Sequence, residues 1–347
     1  MTNDKFQISN VKWFARLPIV ASLLLIVISL PVLSAWQRQR TPSLSWLHSV
    51  FFVDSQHGWA AGSRGTLMAT NDGGLSWQVT NHPTTDTIRD VYFTSAREGW
   101  LLCERNLYEL KSNDEPRAYL MKTIDGGEHW QRQTLQGANV DARLLRIIFT
   151  PEGRGWTFGE GGAVYMSNDS GGRWTRVQVP ARYVLFGGAF LDNENGFLVG
   201  AGSTILHTYD GGDTWITTRV PAGLNIHFNA ISFADMRNGW AVGNNGAIVR
   251  TTNGGRSWTQ LRSGVNVDLM DVKFFDAREG WAIGAEGTLL HTRDGGSHWQ
   301  SEQSGTEHTL ERLFFADRAH GWAVGFGGTI VSTTTRVDSL PKLGAQR

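Results

Sequence analysis

The residues best suited to chemistry are acidic side chains repeated in one motif, T-x-D-G-G-x-x-W. Five aspartates and one asparagine stand in this box motif, each followed five residues later by a tryptophan: Asp72 and Trp77, Asp125 and Trp130, Asp169 and Trp174, Asp210 and Trp215, Asn253 and Trp258, Asp294 and Trp299. Such carboxylates could hold a cation or act in acid–base catalysis. An aspartate beside glycines also accepts hydrogen bonds from the backbone of its own tight turn. We therefore interpret the box residues as structural, with the tryptophan filling a gap in the core.

Other candidate catalytic or metal-binding groups stand outside any recognisable motif. The ten histidines form no HxH or HExxH pattern, and the single cysteine, Cys103, is interpreted as a buried thiol. Asp90 and Asp271 take equivalent places in two copies of a repeat, so both could approach one site, but we expect them to lie across the molecule from each other. The sequence therefore predicts no catalytic residue, no metal site and no cofactor.

The box motifs belong to a repeat that occupies most of the chain. A Gly-Trp pair recurs, mostly 41 residues apart, at Trp59, Trp100, Trp156, Trp240, Trp281 and Trp322, with Phe197 in the remaining place. A phenylalanine stands seven residues before each of these aromatic residues. Alternating apolar and polar positions predict four short strands per repeat. Examples are a first strand that ends with residues 90–93, a second strand at 239–243 and a third strand at 287–292. The sequence therefore predicts an all-β fold, a seven-bladed β-propeller of four-stranded blades.

The two ends of the repeat array predict how the propeller closes. The seventh repeat has no box motif, but Trp36 precedes Trp59 by 23 residues, the spacing that also separates Trp77 from Trp100. Trp36 therefore takes the place of the seventh box tryptophan, and the N-terminal strand completes the last blade and removes the open edges. The propeller is expected at residues 36–335, followed by a C-terminal tail at 336–347.

The segment before the propeller is predicted to cross a membrane. Residues 17–35 carry no charge over 19 positions, and a helix of this length spans about 30 Å of hydrocarbon. Lys5, Lys12 and Arg16 precede it, which predicts a cytoplasmic segment at 1–16, a transmembrane signal anchor at 17–35 and an exported propeller. A cleaved signal peptide is the alternative.

Charge patterning excludes one class of partner and suggests another. The 32 Lys and Arg residues balance 32 Asp and Glu residues, which argues against nucleic-acid binding. The face opposite the box motifs is expected to carry six arginines: Arg64, Arg89, Arg143, Arg146, Arg182 and Arg312. Because guanidinium groups bind carboxylates in a bidentate fork and stack on aromatic rings, this face is predicted to bind a peptide or acidic segment of a partner. Ordinary solvated arginines are the alternative.

The motifs resemble those of known propellers. The boxes are similar to the Asp-box (BNR) repeats of sialidases, glucanases and sortilin-type receptors. With G-W-A-V-G runs before them, residues from about 36 to 335 resemble the photosystem II stability/assembly factor family, whose members are lumenal or periplasmic seven-bladed propellers.

This resemblance implies a non-enzymatic scaffold that binds and stabilises a membrane-protein subunit or assembly intermediate, with an arginine-bearing face, in the periplasm or thylakoid lumen. We expect the propeller to be monomeric. The alternative function is a carbohydrate-active propeller, either a sialidase-like or glycosidase-like enzyme or a lectin. The sequence lacks the Arg-Ile-Pro motif that a sialidase would carry near the start of its propeller.

Overall fold

The propeller forms a closed ring of seven sheets. The computed structural model describes residues 36–106, 108, 116–133, 135–136 and 142–334. In these ranges the chain forms seven sheets, each of four antiparallel strands, and one of them carries a short fifth strand. The innermost strand of each blade contacts the innermost strand of the next, and that of the seventh blade contacts that of the first. The predicted seven-bladed, all-β fold is therefore confirmed.

The strands are numbered in chain order. The first strand, β1, covers Trp36–Arg38. Blade one contains β2 (Leu47–Phe52), β3 (Gly58–Gly62), β4 (Leu67–Thr70) and β5 (Gln78–Val79). Blade two contains β6 (Thr87–Phe93), β7 (Gly99–Glu104), β8 (Ala118–Thr123) and β9 (Gln131–Gln133). Blade three contains β10 (Leu135–Gln136), β11 (Leu144–Phe149), β12 (Gly155–Gly159), β13 (Val164–Ser167) and β14 (Trp174–Val177).

The remaining blades repeat this pattern. Blade four contains β15 (Leu185–Phe190), β16 (Gly196–Gly200), β17 (Thr204–Thr208) and β18 (Ile216–Thr217). Blade five contains β19 (Phe228–Phe233), β20 (Gly239–Gly243), β21 (Ala247–Thr251) and β22 (Thr259–Arg262). Blade six contains β23 (Leu269–Phe274), β24 (Gly280–Gly284), β25 (Leu289–Thr292) and β26 (Gln300–Ser301). Blade seven contains β27 (Leu310–Phe315), β28 (His320–Gly325) and β29 (Ile330–Thr334), with β1 as its fourth strand.

Short 3₁₀ turns connect the second and third strands of four blades, at Glu160–Gly162, Asn244–Gly246, Ala285–Gly287 and Phe326–Gly328. The segments predicted at 1–16, 17–35 and 336–347 lie outside the described residues. In the part of the chain that is described, no helix is long and apolar enough to cross a membrane.

One strand departs from the expected four per blade. β10 pairs in parallel with β14, at the outer edge of blade three. β10 lies between β9 and β11 in the chain and covers the outer edge of β14, which would otherwise be unpaired. Spacing of the repeats gives no signal for this pairing.

Aromatic contacts join each blade to the next, and at most junctions the two rings are stacked. The ring of Trp59 in blade one lies 3.6 Å from that of Phe93 in blade two and is nearly parallel to it, and Trp240 stacks on Phe274 of the next blade at 3.5 Å. The box tryptophan of the second blade then meets the same phenylalanine edge-on, as Trp130 meets Phe93 at 6.1 Å. Each junction is thus filled by three aromatic side chains contributed by two blades.

The N-terminal strand closes the ring, as the spacing of Trp36 predicts. β1 pairs antiparallel with β29, with Trp36 opposite Thr333. The Trp36 ring lies 5.5 Å from Trp281 of blade six and 5.8 Å from Phe315, edge-on to both. Trp36 is only 5% exposed, so it fills the seventh junction as a box tryptophan does elsewhere.

The box carboxylates bind the backbone of their own turns. The Asp210 carboxylate accepts hydrogen bonds from the Thr208 hydroxyl at 2.8 Å and from the Thr214 N–H at 2.9 Å. The Thr214 hydroxyl also donates to this carboxylate, and its hydrogen bond lowers the pKa of Asp210 to about 2. Asn253 makes the equivalent bonds through its amide, which accepts from Thr251 and donates to Ser257. The geometry is that of a turn, with the side-chain oxygens occupied by the chain itself.

We predict that Trp36→Ala lowers the free energy of unfolding by about 3–5 kcal/mol, because it opens a cavity at the junction that closes the ring. The matched control is Trp46→Ala, since Trp46 is 43% exposed and fills no junction. Urea unfolding followed by fluorescence measures both variants. Equal losses in the two would contradict the role of Trp36 in closure.

Acid stability should depend on the box carboxylates. Hydrogen bonds lower the pKa of Asp210, so its contribution to stability is complete above its ordinary value of 3.8 and is lost as the pH falls towards 2. Asp210→Asn should keep the turn, as Asn253 does, and should lose less stability than the native chain between about pH 4 and 2. Asn253→Asp should lose more stability than the native chain over the same pH range. Thermal unfolding across this pH range measures the difference, and identical pH profiles would contradict it.

Candidate functional site

A ring of seven bulge residues surrounds one mouth of the central channel. In the innermost strand of every blade, one residue is skipped in the pairing with the second strand, four positions before the blade's phenylalanine. These bulge residues are His48, Arg89, Leu145, Phe186, Asn229, Met270 and Glu311. All seven line one cavity of about 470 Å³, the channel mouth, on the face opposite the boxes. The bulges thus assemble a site from every blade.

The carboxylates beneath the channel mouth are fully engaged. The Arg312 guanidinium donates to both oxygens of Asp90 at 3.0 Å, and the Ile147 N–H donates to Asp90 at 3.0 Å. Asp271 accepts the Leu313 N–H at 2.9 Å and lies 4.0 Å from Arg312. Although their blades are not adjacent, both carboxylates thus approach one guanidinium. They act as hydrogen-bond acceptors and are not a free pair for acid–base or nucleophilic catalysis.

Arg146 differs from the other arginines of the channel mouth. Its guanidinium makes one hydrogen bond, a long one of 3.4 Å to the Leu145 carbonyl, and its buried Nε has no partner. Within the described ranges, no carboxylate lies within 4 Å of it. Burial, together with the positive charge of Arg312, lowers the pKa of Arg146. Asp90, Asp271 and Glu311 act on the Arg146 charge only from a distance, so the guanidinium is suited to binding an anion as a direct partner.

Two other arginines of the channel mouth belong to a chain of ion pairs. Arg89 contacts Glu104 at 2.5 Å, and Arg117 lies between Glu104 at 2.7 Å and Glu160 at 3.2 Å. Arg143 contacts Glu160 at 3.0 Å. These carboxylates hold Arg89 and Arg143 in place and neutralise most of their charge. Sequence analysis missed Glu104 and Arg117, which flank the insertion in blade two.

The six arginines predicted on this face are not brought together as one cluster. Arg89, Arg143 and Arg146 line the channel mouth, whereas Arg312 lies beneath it against Asp90. Arg64 is exposed in the β3–β4 turn and lines a neighbouring cavity of about 330 Å³ together with Arg89. No described contact places Arg182, an exposed residue before β15, at the channel mouth. Three of the six predicted arginines therefore line the channel mouth.

Sequence analysis also missed most of the bulge residues. His48 contacts Glu311 at 3.0 Å across the boundary of blades one and seven, and Trp46 lies against His48. Phe186, Asn229 and Met270 complete the wall. The signal was present, since every bulge residue stands four positions before the repeat phenylalanine.

One group of side chains has the spacing of a metal site. Ligand atoms of Asp125, Glu128 and His129 all lie within 4.8 Å of one another, a His/Asp cluster that sequence analysis did not predict. The His129 Nδ1 lies 2.8 Å from Asp125, and His298 makes the same contact with Asp294 at 2.7 Å in a box without the additional acid. The contact is therefore explained by the box turn itself.

The fold and the repeated boxes define a class of protein, the Asp-box propellers, here with a cavity at the channel mouth. The sequence model of the family described as "Photosynthesis system II assembly factor YCF48" matches residues 29–114, 76–188, 173–265 and 260–339. The chain belongs to this family. Among the curated proteins, none matches the sequence.

Solved structures share the fold. YCF48 from Cyanidioschyzon merolae is 20% identical, with a TM-score of 0.69, and the match covers 86% of this chain and 98% of that one. A structure of YCF48 bound to D1 peptide is 23% identical, with a TM-score of 0.71 and coverage of 88% and 97%. The GH74 xyloglucanase from Xanthomonas campestris is 13% identical, with a TM-score of 0.67, and the match covers 88% of this chain but only 54% of the enzyme. At these identities the likeness shows the fold alone.

We predict that Asp90→Asn lowers the free energy of unfolding by about 3–5 kcal/mol, because it removes the buried carboxylate that accepts from the half-buried Arg312 and from the chain around it. The control is Asp276→Asn, which breaks an exposed pair with Arg318 and should cost less than about 1 kcal/mol. Urea unfolding of both variants measures the difference. A loss at Asp90 no greater than that at Asp276 would contradict the central role of the buried pair.

Proposed function

We propose that this chain is a non-enzymatic assembly factor that holds an acidic peptide segment of a membrane-protein subunit at the channel mouth. The observation that carries the proposal is Arg146, a partly buried guanidinium with which no described carboxylate forms a direct ion pair. A bound carboxylate would supply the missing partner and would gain a charge-assisted hydrogen bond in a poorly solvated place. Family membership supports the assembly role.

The walls of the channel mouth suit a peptide more than a small ion. Trp46, Leu145, Phe186 and Met270 provide apolar surface, and Arg146 provides the charge between them. A segment with an acidic group flanked by apolar side chains would match both features. The related structure of YCF48 bound to D1 peptide supports a peptide as the ligand.

Anchoring and location extend this proposal. A membrane-spanning segment at residues 17–35 would keep a monomeric propeller beside its client, in the periplasm or the thylakoid lumen. The alternative, a carbohydrate-active propeller, has weaker support, because Asp90 and Asp271 are occupied by hydrogen bonds and the GH74 enzymes are related by fold alone.

The test is Arg146→Gln, with Arg182→Gln as the matched control. A photo-crosslinking residue at position 46 captures partners in native membranes, and the captured subunits are identified by mass spectrometry. Loss of the guanidinium should weaken capture about tenfold or more, as expected for a charge-assisted bond of roughly 1.5–3 kcal/mol. The melting temperature should stay the same or rise, because the cost of burying the charge and the repulsion from Arg312 outweigh the attraction of Asp90, Asp271 and Glu311, as the lowered pKa of Arg146 indicates.

Arg182→Gln should capture the same subunit as the native chain. Equal capture by Arg146→Gln and the native chain would overturn the assignment of the site. Capture of the same subunit by a crosslinker placed at Ile216, at the outer edge of blade four, would show that the channel mouth is not selective.

A further inference from the structure

The junction between blades four and five departs from the pattern of the others. Phe197 takes the place of the Gly-Trp tryptophan and stacks on Phe233 at 4.3 Å. Phenylalanine lacks the second ring and the N–H of an indole. At two other junctions that N–H donates to a box glycine of the next blade, from Trp240 to Gly295 and from Trp322 to Gly73, both at 2.9 Å. Phe197 has no such donor for Gly254, the equivalent glycine.

A cavity of about 360 Å³ opens at this junction on the box face. Its apolar side includes Phe197, Tyr209 and Met236. The His207 ring lies between Phe197 at 3.9 Å and Tyr209 at 3.8 Å. We call this cavity the blade 4/5 pocket.

His207 contributes a buried polar atom without a partner. The side chain is 3% exposed, and its Nδ1 accepts or donates no hydrogen bond within the described part of the chain. Burial lowers the pKa of His207 to about 4, so the ring is neutral at physiological pH. A buried nitrogen left unsatisfied is costly, so the wall of the pocket at His207 is not optimised for the stability of the fold.

The charge of the box is reversed at this junction. Asn253 replaces the aspartate, and Arg256 stands where the other boxes have Leu75, Glu128, Gly172, Asp213 and Ser297. Arg237, from the loop between β19 and β20, also lines the pocket. Among the residues that the structure describes, no carboxylate lies within 4 Å of either guanidinium. The box of blade five therefore has an asparagine in place of the aspartate and an additional arginine, next to the junction where Phe197 replaces a tryptophan.

We propose that the blade 4/5 pocket binds an organic carboxylate that carries an aromatic ring. The ring of the ligand would occupy the space left by the missing indole, beside Phe197 and His207, and its carboxylate would pair with Arg237 and Arg256. Such a group occurs in a free aromatic acid and at a peptide C-terminus that ends in an aromatic residue. The pocket lies on the face opposite the channel mouth and is independent of the function proposed there.

Phenylacetate is the first probe, measured by saturation-transfer NMR and calorimetry on the full chain. Phe197→Trp restores the residue of the other six repeats and fills the pocket, so it should abolish binding while the chain keeps or raises its melting temperature. Arg256→Ser, which copies Ser297 of blade six, should weaken binding about tenfold or more. Arg278→Gln, at the position in blade six equivalent to Arg237, should leave binding unchanged.

Two further probes distinguish the sources of the ligand. N-acetyl-Ala-Phe with a free carboxylate and its amide are compared with phenylacetate. Tighter binding of the peptide acid supports a C-terminal segment, and tighter binding of phenylacetate supports a free acid. Binding of the amide as tight as that of the acid would overturn carboxylate recognition.

Unchanged binding by Phe197→Trp, or no binding of any probe at millimolar concentration, would overturn the pocket. Arg146→Gln should bind phenylacetate normally, which separates this outcome from failure at the channel mouth.

Discussion

The architecture depends on one repeated contact, between an aromatic ring in one blade and the phenylalanine that ends the innermost strand of the next. Where this contact is closest, as between Trp322 and Phe52 at 3.6 Å, the rings are nearly parallel and a box tryptophan covers the phenylalanine edge. The contact fixes how far apart neighbouring blades lie and at what angle they meet. Because the last junction uses Trp36, the ring closes only when the two ends of the propeller pair.

The residues that line the channel mouth can differ from blade to blade, because the ring is held together elsewhere. A bulge residue is skipped in the strand ladder, so its side chain is not needed for pairing or for the aromatic junction four positions later. The seven positions accordingly hold side chains of every kind, from His48 and Glu311 to Met270. The layer beneath is constrained in the opposite way, since Asp90 bonds to blades one, three and seven through Ser49, Ile147 and Arg312. The varied bulge residues thus lie above a layer of polar side chains that are fixed by hydrogen bonds.

The fold could be predicted because its signals are local and periodic. The spacing of Trp36 to Trp59 was enough to identify the closing strand, and the glycines and aspartate of a box mark a turn without tertiary information. The electrostatics of the site could not be predicted in this way. Asp90 and Arg312 are 222 residues apart, and Arg117 meets Glu104 only because the chain returns after an insertion. Sequence alone predicts six arginines on one face without their partners, whereas the fold distinguishes Arg146 by the absence of a direct ion pair in the described residues.

A residue that departs from the repeat has a different meaning on each face of the propeller. At the channel mouth every blade differs, so no single residue stands out until its partners are known. On the box face the blades are alike, and a change there replaces a side chain that the junction would otherwise use. Phe197 lies in the second strand of blade four, and Asn253 and Arg256 lie in one box turn of blade five, yet all three line one junction cavity. Independent drift at three positions would have no reason to converge on one cavity, whereas a bound anion with a flat apolar part would favour all three changes at once.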